Sequence, residues 1–410
     1  MIHKVENFTA KDEFGTRAVH AGQPTDPLTG SLIPPLYLTS TFALDAEDID
    51  TLAQGRNLSP EQYMYGRTSN PTQHAFEVKM AALENCEAAL SVASGMSAIS
   101  LALLATLSSG DHLIVWRCIY GHAFEFIEGY LPKMGVEVAW VDELTSAALS
   151  AAARPNTKAI YLETISNPCM QIPDLQAVSD WAKPRGITTI IDNTLASPAL
   201  CQPRQFGMDI IVHSATKYIG GHGDALGGVL LGDHQFVQSV RNGWYKYLGP
   251  VPSPFSCWLF NRGLKSLYAR IARHCESANA IANFLHNHPA VARVNYPGLA
   301  DSPDYAACQR YLSSPPAILS FSLKGGAFAA NQVMKNIRLA TVALSLGDAD
   351  TLISHPASMS HRGVPADIRL QAGVDDGLLR LSVGLEDAAD LISDLAAVLD
   401  EVSLKDKHSA

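Results

Sequence analysis

The chain has 410 residues, 47% hydrophobic and 17% charged, which is the composition of an ordinary globular protein long enough for two or three domain-sized units. Its 30 basic and 40 acidic side chains give a net charge of −10 with no basic block, which argues against nucleic acid and anionic membrane surfaces as partners. The opening MIHKVENFTAKDE lacks a signal-peptide core, MSAISLALLATL (96–107) is too short to cross a bilayer, and seven cysteines without CxxC spacing read as free thiols of a reducing cytoplasm.

Residues 1–65 carry turn signals (GQPTDPLTG, IPPLYLTSTF) and no strong periodic pattern, so they are expected to form an arm lying over something, such as a neighbouring subunit. From about residue 75, short apolar runs alternate with helical stretches. The strand candidates are HLIVWR (112–117), VEVAWV (136–141), KAIYLE (158–163), TTIID (188–192), DIIVH (209–213) and GVLLG (228–232), and helical stretches include 97–108, 122–132 and 174–183. This alternation predicts an α/β large domain over 66–260, with a mostly parallel sheet covered on both faces and chemistry at the carboxyl ends of its strands. A helical run over 257–288 is expected to link it to a smaller α+β domain, placed at 261–410, with strands in AILSFSL and LLRLSVG. The last helix carries Leu391, Leu395, Val398 and Val402 as one apolar stripe.

Several polar residues fall at strand ends. Asp192 ends TTIID, Ser214 follows DIIVH, Lys217 comes three residues later, Tyr120 lies just past HLIVWR, and Ser94–Gly95–Met96 opens the helix at 97. Singly, each has a plainer reading: an N-cap for Asp192, packing for Tyr120, a helix cap for Ser94–Gly95, a solvated lysine for Lys217. Together they match the needs of pyridoxal 5'-phosphate. That group requires an amine to condense with its aldehyde, a carboxylate facing its pyridine nitrogen, an anion site for its phosphate and an aromatic ring to stack on it. The loop GGHGDALGG (220–228) contains neither GxGxxG nor a P-loop, and the histidines of HPASMSH (355–361) lack metal-ligand spacing, so no metal is expected.

The blocks YGRTSNPT (65–72), ASGMSAI (93–99), ETISNP (163–168), DNT (192–194), HSATKYIGGHGD (213–224), SLGDADTLISHPASMSH (345–361) and RLSVGLED (380–387) stand in one order. The chain thereby resembles the pyridoxal-phosphate enzymes of cysteine and methionine metabolism, and its motifs are most similar to those of methionine γ-lyase. The resemblance implies the type I fold shared with aspartate aminotransferases and a homotetramer of two tight dimers with shared active sites. It implies Lys217 as the aldehyde-binding amine, Asp192 at the pyridine nitrogen and Tyr120 on the ring. Gly95, Met96, Ser214 and Thr216 would bind the phosphate, joined by Tyr65 and Arg67 from the neighbouring subunit. Arg380 would clamp the substrate carboxylate, with Asn167 and Ser345 orienting ring and substrate.

The implied activity is γ-elimination from a methionine-like or O-substituted homoserine-type amino acid, methionine and canavanine included, giving a 2-oxo acid and ammonia or a vinylglycine-derived product. Lys217 would move the Cα proton, and Tyr120, its pKa lowered by Arg67 and Lys246, would assist. Leu344 occupies a position where cystathionine enzymes carry glutamate. His122 stands where methionine γ-lyase has cysteine, and Tyr247 follows Lys246 where that enzyme has aspartate. Two readings of His122 and Tyr247 stay open, a pocket for a polar γ-substituent or preserved packing. The alternatives are γ-replacement (an O-acyl-homoserine sulfhydrylase or cystathionine γ-synthase) and cystathionine γ- or β-lyase. A regulator built on this fold would need a DNA-binding segment for which the acidic chain has no length.

Overall fold

The apolar runs of the middle of the chain pair into a seven-stranded sheet of order β1-β7-β6-β5-β4-β2-β3. Its strands are β1 (Ala88–Val92), β2 (His112–Trp116), β3 (Glu137–Val141), β4 (Thr157–Glu163), β5 (Thr188–Asp192), β6 (Ile210–His213) and β7 (Gly228–Gly232). The computed structural model describes residues 11–23, 25–26, 28–54 and 62–409, with side chains to residue 402. Strands β2 to β6 run parallel, and β7 is antiparallel to both β6 and β1. The six anticipated strands are all present. Strand β1, which the periodicity did not reveal, is a five-residue AALSV segment buried against β7.

Central residues such as Ile114, Ile160, Ile190, Ile211 and Leu230 are fully buried, because helices cover both faces of the sheet. Burial of each such side chain stabilises by about 1.5–3 kcal/mol. A second, five-stranded sheet has the order β10-β11-β12-β9-β8, built from β8 (Val291–Asn295), β9 (Ile318–Leu323), β10 (Thr341–Val342), β11 (Leu352–Ser354) and β12 (Leu378–Ser382). The stripe Leu391, Leu395, Val398 and Val402 of the last helix closes the core of this smaller unit, with Phe321, Ile353 and Leu379.

Two elements differ from the sequence expectation. The run 257–288 is two helices, Pro254–Lys265 and Leu267–His286, broken at Ser266. Arg270 braces the break, donating from Nε to Ser266 Oγ (3.1 Å) and from a terminal nitrogen to Gly263 O (2.8 Å), a carbonyl that also accepts from Ser266 N (3.2 Å). The arm is also not wholly irregular. It contains the helices Phe14–His20 and Ala46–Ala53, the second started by an Asp45/Asp48 capping box. The first docks on its own chain, where Lys79 Nζ donates to Ala18 O (3.0 Å) and Arg17 to Asn85 Oδ1 (2.6 Å).

Candidate active site

Strands β5 and β6 end side by side, and the loops leaving them are tied together. Thr194 N donates to Asp192 Oδ1 (2.9 Å), and Thr194 Oγ1 accepts from Ser214 N (2.8 Å). A carboxylate and a hydroxyl residue on different strands are therefore spaced by one threonine. Burial pushes the Asp192 carboxyl above the usual aspartate range, against the pull of the Thr194 hydrogen bonds.

The turn after β6 presents Lys217, whose Nζ donates to Ser345 Oγ at 3.1 Å. Ser345 lies in the loop between β10 and β11, and its carbonyl accepts from Arg380 of β12 (3.0 Å). The other terminal nitrogen of Arg380 donates to Asn167 Oδ1, also at 3.0 Å, while its buried Nε has no partner among the described residues. Residues 167, 217, 345 and 380 thus converge from both sheets. Burial lowers the Lys217 ammonium below its ordinary pKa, the Arg380 charge adds to this, and Asp348 opposes it. Arg380 itself is lowered to about 10 by its own burial.

Tyr120 immediately precedes the helix Gly121–Gly129, and its N–H donates to Glu163 Oε1 at 2.6 Å. Its hydroxyl is 2.7 Å from His122 Nδ1, with the two rings edge to face. Burial raises the Tyr120 phenol above its ordinary value, and Arg380 only partly offsets this. The expected lowering by Arg67 and Lys246 does not occur within one chain, because those cations are elsewhere. Arg67 donates to Lys246 O (2.7 Å) and lies over the Tyr65 ring, and Lys246 Nζ lies over the Tyr247 ring. All four are exposed, Tyr247 at 77%. Leu344, one residue before Ser345, is 58% exposed.

The helix Gly95–Thr106 begins with Ser94, whose Oγ accepts from Ser97 N (3.1 Å). The amides of Gly95 and Met96 have no acceptor among the described residues. A side chain at 95 would bring its Cβ within 2.7 Å of Ser214 Cβ, so glycine is what allows the helix start and the residue after β6 to touch. Thr216 has partners inside the chain. Its Oγ1 donates to Gly227 O (3.2 Å) and accepts from Gly227 N (3.1 Å), which turns its proton toward the glycine loop.

The family model for Cys/Met metabolism PLP-dependent enzymes matches residues 15–400. The chain belongs to this family. It is 42% identical to an L-methionine gamma-lyase of Porphyromonas gingivalis, over 95% of this chain and 97% of that one. It is 38% identical to an O-succinylhomoserine sulfhydrylase of Pseudomonas aeruginosa, over 93% and 94% of the two chains. Among solved structures, the cystathionine gamma synthase of Xanthomonas oryzae in complex with aminoacrylate and cysteine superimposes with a TM-score of 0.90, at 38% identity over 96% of this chain and 99% of that one.

A PLP-dependent family member needs the donor set found here. Two free amides at a helix N-terminus and the Ser214 hydroxyl, which bonds to no protein group among the described residues, suit a phosphate. Asp192, Lys217 and the orphaned Arg380 Nε supply the carboxylate, the amine and a donor without an acceptor. The glycines after Lys217 that have close neighbours serve packing inside the chain. At Gly221 (φ +71°) a Cβ would collide with Arg270, which donates to Tyr218 O at 3.0 Å and so pins the residue after the lysine.

Some polar residues of this region were not singled out from the sequence. Glu163 ends β4 as Asp192 ends β5, and the two are partners in register, so the strand-end rule that found one would have found the other. Burial and Asp192 hold the Glu163 carboxyl well above its ordinary value. His361 is buried beside Asn167 along a small cavity, and burial pushes it down to about 4. Nothing in its sequence context signals that environment.

Proposed function

We propose that this family member is a γ-lyase acting on a small α-amino acid with a sulfur or oxygen substituent at Cγ, and that it works as a homotetramer with shared sites. The observation that carries this reading is the single residue Ser345, whose hydroxyl holds the Lys217 amine while its carbonyl holds Arg380. A carboxylate clamped by Arg380 and an amine-bearing Cα within reach of Lys217 are thereby set at a fixed separation.

When bound, pyridoxal phosphate supplies an electron sink for the pair released at Cα. The residues of the chain do the rest. Lys217, its ammonium destabilised by burial and by Arg380, gives up its proton readily and can carry the Cα proton. Arg380, stiffened by Asn167, presents its free Nε and terminal N–H groups to the substrate carboxylate. Tyr120, its hydroxyl held 2.7 Å from His122 Nδ1, would serve as the donor to a leaving heteroatom. Phosphate would rest on the Gly95 and Met96 amides and Ser214 Oγ, with Thr216 as a supporting donor only if its hydroxyl turns from Gly227.

Tyr65, Arg67, Lys246 and Tyr247 fit a second role, as groups one subunit offers to its neighbour. Exposed apolar side chains on the arm, including Leu28 and Leu32, support such an assembly. His122 and Leu344 would meet the γ-substituent. Similarity to the sulfhydrylase keeps γ-replacement as the second reading. Incubation with methionine, canavanine and O-acetylhomoserine, with and without a thiol, separates the two. A 2-oxo acid formed even with excess thiol supports elimination, and an amino-acid product formed only with thiol overturns it.

A further inference from the structure

Below Asp192 and Ser214, on the side of the sheet covered by the helix Pro71–Glu84, lies a buried polar cluster that takes no part in the chemistry above. Glu84 is the last residue of that helix, and Glu84 and His213 are both essentially inaccessible. One oxygen, Glu84 Oε1, accepts from His213 Nε2 at 2.6 Å and from Asn193 Nδ2 at 2.8 Å. Asn193 Oδ1 in turn accepts from Thr164 Oγ1, also at 2.8 Å. Thr164 follows β4, Asn193 follows β5 and His213 ends β6. Two adjacent strand ends are thus drawn directly onto one carboxylate oxygen, and a third is tied to it through Asn193. Each tied residue stands next in sequence to a group of the upper layer: Glu163, Asp192 and Ser214.

Stability does not explain this arrangement. Glu84 Oε2 and His213 Nδ1 are buried without partners, and replacing a buried ionic pair by apolar residues of similar volume is often neutral or stabilising. What a directional network gives, and apolar packing does not, is a fixed spacing. We infer that Glu84 and His213 are positioning residues for the cofactor, setting the distance between the carboxylate that faces its ring nitrogen and the hydroxyl that holds its phosphate. The inference rests on the functional reading above and deepens it, since two ends of one rigid ligand are gripped by residues whose separation this clasp controls. Neither residue touches the ligand; both act through Asp192, Thr194 and Ser214.

The test is the dissociation constant for pyridoxal phosphate, measured by cofactor absorbance on purified apoprotein, beside the urea stability of the same apoproteins. Glu84→Leu together with His213→Leu replaces both partners by apolar side chains of similar volume, leaving no carboxylate buried and unpaired, and should weaken binding about tenfold with apoprotein stability unchanged or raised. His213→Gln restores an N–H near the Nε2 position and should bind within about threefold of the wild type. Wild-type affinity in the Glu84→Leu, His213→Leu double variant overturns the inference, as does a loss of affinity that tracks a loss of apoprotein stability. If the double variant fails to fold, Thr164→Val cuts the outer link isosterically. It should weaken binding about two- to threefold, and an unchanged constant overturns the inference. A wild-type protein that binds no pyridoxal phosphate overturns the functional reading itself, a result distinct from wild-type binding matched by the clasp variants.

Discussion

Asn167, Lys217, Ser345 and Arg380 form a group with every mutual bond made inside one chain, Asn167 and Arg380 fully buried and drawn from two different sheets. Tyr65, Arg67, Lys246 and Tyr247 form the opposite kind of group. They are exposed, and Arg67 meets only a carbonyl oxygen and an aromatic face. The first group has paid for desolvation with pKa shifts, whereas the second keeps its cations hydrated and ready for a partner. On the proposed assembly, the amine and the carboxylate clamp belong to one subunit and the outer charges come from its neighbour.

The strongest way to break this comparison is Lys217→Ala, which should lower turnover by about 10³-fold or more and abolish the visible absorbance of a covalently held cofactor. Arg380→Lys keeps the charge but loses the fork held by Asn167 and Ser345. KM for the amino acid should rise by about 100-fold, with a smaller change in kcat, as steady-state kinetics would show. The buried group also predicts an acid response. His361 has a folded pKa of about 4 against an ordinary 6.5, so as pH falls through that window the unfolded chain takes up a proton that the folded chain refuses. Its contribution is intact above pH 6.5 and is lost toward pH 4, by roughly 3 kcal/mol at most, and His361→Asn should flatten that part of a urea-stability profile. The smallest effect belongs to the exposed group. Arg67→Ala should weaken cofactor binding about tenfold in the assembled enzyme. Dilution of the wild type below its assembly concentration should produce the same weakening, and identical affinities before and after dilution would show that Arg67 acts within its own chain.

Much of this was legible because strand ends are punctuated in the sequence. Asp192, Ser214 and Lys217 were found by counting from apolar runs, and they sit where those runs end. Strand β1 was missed because AALSV is short and lacks β-branched enrichment until its last residue; pairing with β7 makes it a strand. The break at Ser266 was missed because its stabilising group, Arg270, lies in the following helix and acts by tertiary geometry. Within one chain, burial sets the direction of the Tyr120 shift, and Arg67 and Lys246 lie away from it. Assembly-dependent properties cannot be read from the periodicity of one chain.

Leu344 and Ser345 are adjacent, yet one faces solvent and the other holds the reactive amine. His122 and Tyr247 are exposed as well, so these three positions carry little of the fold. Substitutions at such positions usually change stability by no more than about 0.5 kcal/mol. On the proposed function, drift in which leaving group is accepted would proceed by single surface steps while the amine, the clamp and the phosphate seat stay untouched, and a scaffold with that division of labour is free to diversify.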